Sequence, residues 1–82
     1  MSTWTVAGVQ MDCRLADPAA NRRAVCDRLA VAADGGARLA VFPECVVTGY
    51  GFASRELVRA VAEPLPGPST DAVAAACARL GV

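Results

Sequence analysis

The sequence predicts an α/β fold whose elements run β-α-β-loop-α-α. Two short apolar runs, at residues 3–11 and 37–42, flank one long stretch of helical periodicity. That stretch opens on Asp17-Pro18 and closes on Gly35-Gly36, so its ends are marked as clearly as its interior. Two shorter helical patterns follow, separated by Pro64-Leu65-Pro66-Gly67-Pro68.

Residues 3–11 read as a strand, with Trp4, Val6 and Val9 as its β-formers. Residues 12–16 connect it to a helix over residues 18–34, where Asp17 is the N-cap and Pro18 occupies the first helical position. Val25, Leu29, Ala32 and Ala33 fall on one side of this helix, and Arg23, Asp27 and Asp34 on the other. Gly35-Gly36 ends it, because glycine accepts the left-handed conformation that follows a helix. Residues 37–42 form the next strand, and the unbroken run Leu39-Ala40-Val41-Phe42 suits a strand covered on both faces. Strand, helix and strand at this spacing make a βαβ unit with parallel strands and a right-handed crossover. Residues 45–53 are a loop carrying Gly49-Tyr50-Gly51. Ser54 caps a second helix extending to about residue 62, with Leu57, Val58 and Val61 as its apolar side. The Pro-rich segment is expected to be a stiff, extended connector. Ser69 or Thr70 then opens a third helix, with Asp71 in its first turn, Val73, Cys77 and Leu80 on one face and Gly81 at its end. Val82 reads as the first residue of a third strand.

With 82 residues the chain forms one small domain at most, yet it is 55% hydrophobic and only 20% charged. That composition excludes disorder. It also suggests packing against more protein than these residues provide, because two parallel strands leave a face and two edges open. The chain is therefore expected to be a fragment of a larger fold. Eight Arg balance eight acidic residues, with no basic run beyond Arg22-Arg23, which argues against nucleic-acid binding. The Arg side chains on the helices are expected to be solvated or to form rim ion pairs. There is no Lys and no His, so Cys–His and Ser–His pairs and His-based metal sites are absent. Cys13, Cys26, Cys45 and Cys77 form no Cys-x-x-Cys pair and are expected to be packing residues. No leader peptide and no apolar run of membrane-spanning length is visible, so a cytoplasmic chain without membrane association is expected.

The chemistry points to Glu44. Pro43 cannot donate to a ladder, so the strand stops there and Glu44 sits just past the carboxyl end of a parallel strand, where open α/β sheets bind ligands. A carboxylate fixed by a strand and a proline, in apolar surroundings, suits general-base work near neutral pH. On position alone, a surface glutamate beginning a loop is the simpler reading.

The run Val41-Phe42-Pro43-Glu44-Cys45-Val46-Val47-Thr48-Gly49-Tyr50 resembles the first catalytic motif of the nitrilase superfamily of carbon–nitrogen hydrolases. The resemblance spans the chain. Val6-Ala7-Gly8-Val9-Gln10 is similar to the family's opening strand, Asn21 fits in the first helix, Gly36-Ala37-Arg38-Leu39-Ala40 leads into the motif, and Pro66-Gly67-Pro68-Ser69-Thr70 precedes the last helix. The resemblance implies that residues 1–82 are an incomplete, N-terminal part of an α-β-β-α sandwich carrying a Glu-Lys-Cys triad. In that chemistry a Cys thiolate attacks an amide or nitrile carbon, a Glu is the general base, and a Lys stabilises the oxyanion. Only Glu44 maps onto this sequence. The implied Lys and nucleophilic Cys belong to motifs beyond residue 82, so the fragment is expected to be inactive alone. The resemblance implies a small amide or nitrile substrate, amide or carbamoyl ahead of nitrile, a homo-oligomer at full length, and neither metal nor organic cofactor.

Cys45 adjoins Glu44, but neighbours on an extended backbone point to opposite sides, and no His or Lys is present to favour its thiolate. Tyr50 is a candidate substrate-binding residue through its hydroxyl, with local packing as the alternative. Gly49-Tyr50-Gly51-Phe52-Ala53-Ser54 has a dinucleotide-like outline with Ser in place of the third Gly, after the second strand rather than the first. It keeps open a second functional class, a small non-catalytic α/β nucleotide-binding or interaction module. Trp4 is expected in the core.

Overall fold

The computed structural model describes residues 2–82. Its elements are β1 (Val6–Gly8), α1 (Pro18–Asp34), β2 (Leu39–Val41), α2 (Arg55–Arg59) and α3 (Pro68–Leu80). The two strands pair in parallel, with Val6 opposite Leu39, Ala7 opposite Ala40 and Gly8 opposite Val41. The connection through α1 makes this the βαβ unit expected from the periodicity. Both strands are shorter than the apolar runs that contain them. Regular pairing covers three residues on each side, and single bonds extend it: Arg38 N–H donates to Thr5 C=O at 2.9 Å and Val9 N–H to Val41 C=O at 2.8 Å.

The helix α1 follows its sequence signals closely. Asp17 accepts the Ala20 N–H at 3.1 Å, Pro18 takes the first helical position, and Gly36, at φ 87°, supplies the left-handed residue after the end. Val25 and Leu29 are buried, while Arg23, Asp27 and Asp34 face outward. Against α1 packs α3, and the two helices lie on one face of the sheet. Val25, Leu29 and Ala76 form the buried centre, with Ala40, Phe42, Val73, Cys77 and Leu80 packed around it.

The sheet's other face is open among the described residues. Val6 and Leu39 oppose one another there, next to Val41, and all three are exposed. The expectation that β2 is covered on both faces therefore fails for these residues, because both packed helices share one side. Trp4 is likewise not core. It is exposed, with the Arg38 guanidinium 4.5 Å from its ring centroid, a cation–π contact at the rim.

Four further expectations are corrected. Ser54 does cap α2, accepting the Leu57 N–H at 3.3 Å, but the helix ends at Arg59 and continues only as turns in which Val61 and Ala62 N–H reach Val58 C=O. No residue of α2 is buried, and Leu57 and Val58 on its apolar side are exposed. The helix α3 begins earlier than Ser69, with Gly67 as N-cap and Pro68 at the first position, because Pro68 has no N–H to satisfy and Thr70 Oγ1 accepts the Gly67 N–H at 2.7 Å. The connector before it bends through residues 65–67 instead of running extended, and its Leu65–Pro66 peptide is cis. Gly67 is required at the bend, since a Cβ there would collide with the Pro64 carbonyl. Gly81 ends α3 in the left-handed conformation, its N–H on Cys77 C=O at 2.9 Å. Val82 is not in a strand: its N–H also turns back to Cys77 C=O, and its side chain packs against the core. No described helix is long and apolar enough to cross a membrane.

Candidate active site

The carboxyl ends of β1 and β2 open onto a cleft of about 410 Å³ lined by Gly8, Val9, Gln10, Val41, Phe42 and Pro43. Glu44 is the next residue along the chain. Phe42 turns into the core, Pro43 is half-buried, and Glu44 is exposed at the start of a turn over residues 44–48. The apolar surroundings expected for this carboxylate are thus not supplied by the described residues, for the same reason that the sheet face is bare: nothing packs above the strand ends.

The backbone changes direction sharply after Glu44. Cys45 has φ 55°, the left-handed region that costs a non-glycine residue about 1–2 kcal/mol. The extended backbone assumed at Glu44-Cys45 is therefore absent. Its carbonyl accepts the Gly49 N–H at 2.8 Å, closing the turn. Cys45 is exposed and is not the packing residue expected from its type, whereas Cys26 and Cys77 do border the core and Cys13 is half-buried. All four are free thiols.

Three ties hold the turn. Val46 packs inward against the buried cluster. Thr48 C=O accepts the Ala16 N–H at 2.8 Å. Val47 C=O accepts Asn21 Nδ2 at 2.7 Å. Asn21 is 2% exposed and uses its whole carboxamide: Nδ2 also donates to Arg14 C=O at 2.7 Å, and Oδ1 accepts the Arg14 N–H at 2.7 Å. One side chain in the first turn of α1 thereby binds both loops beside the strand ends.

Tyr50 lies on the same loop as Glu44 but does not line the cleft at the strand ends, and neither does Glu44 itself. Tyr50 is 73% exposed and lines a second opening, of about 450 Å³, with Cys45, Thr48 and Phe52. No described residue packs over it. Gly49 and Gly51 have φ of 75° and 90°, and Gly49 is buried in the turn against Leu15. These glycines serve a turn that precedes a helix of five residues, which is not the strand-to-helix phosphate cradle of a dinucleotide fold.

Sequence reasoning passed over a second polar cluster. Glu63 Oε1 accepts the Ser69 N–H at 2.7 Å, its Oε2 accepts the Ser69 hydroxyl at 2.8 Å, and Arg22 Nη1 lies 3.7 Å from Oε2 while donating to Ser69 Oγ at 3.2 Å. The Ser69 hydroxyl bond, then its N–H bond, hold the Glu63 carboxyl below its ordinary value, with Arg22 adding to them and partial desolvation opposing. Arg22 is thus one of the ion-paired helix arginines and is partly covered, whereas Arg14, in the connection before α1, makes only a surface approach to Asp17 at 3.9 Å. A glutamate a few residues ahead of a Gly-Pro-Ser-Thr helix start was the available signal, since helix N-termini attract carboxylates. Among the described residues no group of three or more His, Cys, Asp and Glu gathers in a form able to hold a metal ion.

A parallel βαβ unit followed by Phe42-Pro43-Glu44, with Glu44 opening a turn tied to the first helix by Asn21, is the local architecture of the described residues. No curated protein matches the chain. The family model for carbon–nitrogen hydrolases matches residues 5–82, which include both strands, the Glu44 turn and α3, and the chain belongs to that family.

Proposed function

We propose that this chain supplies the general base of an amide-hydrolysing enzyme, and that Glu44 is that base. The observation that carries the reading is the placement of Glu44 one residue beyond the cleft-lining Pro43, at the carboxyl end of β2. Residues 1–82 would form the N-terminal part of a carbon–nitrogen hydrolase domain. The bare sheet face carrying Val6, Leu39 and Val41 supports an α-β-β-α sandwich in which a second sheet covers it. The oxyanion-stabilising Lys and the nucleophilic Cys come from sequence outside these residues, which contain no Lys.

In this reading Glu44 takes the proton of the incoming Cys thiol, and the thiolate adds to the carbonyl carbon of a small amide or carbamoyl substrate. The Lys ammonium holds the negative oxygen. As the adduct collapses, Glu44 returns that proton to the amide nitrogen, the C–N bond breaks, ammonia leaves and a thioester remains. Glu44 then deprotonates a water that attacks the thioester carbon, and the acid departs as the Cys thiol re-forms. A cytoplasmic homo-oligomer handling small amides is the setting this reading expects; nitriles are the secondary substrate class.

The test is Glu44→Gln in the protein containing all three triad residues, assayed by ammonia release from short aliphatic primary amides. Turnover falls by about 10²–10⁴-fold with the fold intact. Retained turnover overturns the role.

A further inference from the structure

We infer that Asn21 is a positioning residue for Glu44, acting through the Val47 carbonyl; this rests on the reading of Glu44 as the base. Asn21 sits on α1, four residues after the Asp17 cap, whose carbonyl accepts its N–H at 3.1 Å, and one turn before the buried Val25. Its carboxamide is almost fully enclosed and all its hydrogen bonds go to main-chain atoms of loops, none to a side chain. Two of them close a ring on Arg14, one donated and one accepted, which fixes the plane of the amide. With the plane fixed, the remaining Nδ2 hydrogen is aimed at Val47 C=O. The bond therefore sets a direction as well as a distance.

Val47 is three residues from Glu44, inside the turn opened by the left-handed Cys45. A turn holding a non-glycine residue at φ 55° is strained, and its geometry persists only where outside contacts over-determine it. The outside contacts here are few. Val46 inserts into the core, Ala16 N–H reaches Thr48 C=O, and Asn21 reaches Val47 C=O. Ala16 is itself left-handed, at φ 60°, and the segment bearing it is held by the ring between Asn21 and Arg14. Removing the Asn21 amide thus releases one tie directly and weakens a second. Glu44 makes no hydrogen bond to any described side chain that could hold it in its place, so its position depends on this turn. Asn21 never approaches the substrate cleft and has no chemical step of its own.

The experiment uses the full-length enzyme and the same short primary amides, with Glu44→Gln, Asn21→Ser, Asn21→Asp and the combination of Asn21→Ser with Glu44→Gln. Asn21→Asp keeps the acceptor for Arg14 N–H and loses both donations; Asn21→Ser is too short to span both loops. Each variant is assayed well below its melting temperature, as rate per folded molecule. The expected result is a fall in kcat of about 10- to 100-fold for both Asn21 variants, the scale of a misplaced catalytic group, with KM changed less than about twofold. In the Glu44→Gln background Asn21→Ser causes no further loss, because the group it positions is already gone. An unchanged kcat in a folded Asn21 variant overturns the assignment while leaving Glu44 as the base. So does a loss that adds fully to that of Glu44→Gln, or failure of both single variants to fold, which would make Asn21 a folding residue only. Full turnover by Glu44→Gln, or no ammonia from the wild-type enzyme with any of the amides, overturns the underlying reading instead.

Discussion

Asn21 Nδ2 lies 2.7 Å from the Val47 carbonyl oxygen, a hydrogen bond spanning 26 positions of sequence and joining the first helix to the turn after Glu44. Nothing local requires it: Asp17 already caps the helix, and the same amide could face solvent. Enclosed as it is, the group has stability consequences separate from any effect on rate. Asn21→Leu keeps the branched shape with bulkier ends but leaves Arg14 N–H, Arg14 C=O and Val47 C=O without their partner. Unpaired main-chain groups in such a place cost about 1–3 kcal/mol each when water cannot replace the bond, and the loops relax enough to recover part of it. Asn21→Leu is expected to lower the unfolding free energy by about 2–4 kcal/mol, read from urea midpoints at constant m-value.

Glu63 gives the fold a dependence on acid. Its carboxylate accepts both the hydroxyl and the N–H of Ser69 at the start of α3, and these bonds hold its folded-state titration below the ordinary value of 4.5. In the unfolded chain those partners are gone. Between the two values the unfolded state carries more protons, so stability rises with pH. The contribution is complete above the ordinary value and is lost as pH falls through the lowered one. Melting temperature measured from about pH 6 down to pH 3 should decline in the wild type, and Glu63→Gln should remove a distinct part of that slope while leaving the rest. Superimposable slopes would show that the bonds with Ser69 do not couple to folding.

The parts of the fold that could be read in the sequence are those set by neighbours along the chain. Asp17-Pro18 and Gly36 place the ends of α1 because a cap and a left-handed residue are local requirements. Pro43 lies two residues past the end of β2, where its missing N–H is tolerated, so the place of Glu44 beyond the strand followed from the residues before it. The rest depends on segments distant in sequence. Asn21 looks like an ordinary polar residue in the first turn of a helix until the loops around Arg14 and Val47 close over it. Cys45 carries no signal for a left-handed conformation; the turn imposes it. Glu63 reads as part of a connector, and its role appears only when α3 packs beside α1 and brings Ser69 and Arg22 to it. Trp4, Leu39 and Val41 are exposed here for one shared reason: apolar character reports that a surface is to be covered, not which polypeptide segment covers it.

Gly49 offers a direct comparison of steric and conformational demands. It has φ 75°, and a Cβ added there would lie 3.1 Å from Leu15 Cα and 3.3 Å from Leu15 Cδ1. Gly36 has φ 87° and nothing within 4 Å. Replacing either by Ala incurs the cost of a left-handed non-glycine residue, about 1 kcal/mol. Gly49→Ala must in addition push the Leu15 backbone away from the turn. It is expected to destabilise by about 2–3 kcal/mol against about 1 kcal/mol for Gly36→Ala, with denaturant midpoints deciding. Equal losses would show that Leu15 yields freely and that the turn is not pressed against it.

The open sheet face makes a prediction about residues 1–82 produced by themselves. Val6, Leu39 and Val41 stand together on a sheet two strands wide, and α2 leaves Leu57 and Val58 uncovered. The buried centre is small: Val25, Leu29 and Ala76. A two-stranded sheet with one face bare gains little from burial, and each strand retains a free edge that invites pairing with another chain. This polypeptide is expected to bind a hydrophobic dye such as ANS, to keep helical far-UV dichroism from α1 and α3, and to lose it over a broad temperature range. Its association should depend on concentration, and Leu39→Lys should reduce both dye binding and association because it places a charge in the middle of the bare face. A sharp, concentration-independent melt without dye binding would mean that the face is covered by a rearrangement of these same residues, and the requirement for a second sheet above β1 and β2 would then fall.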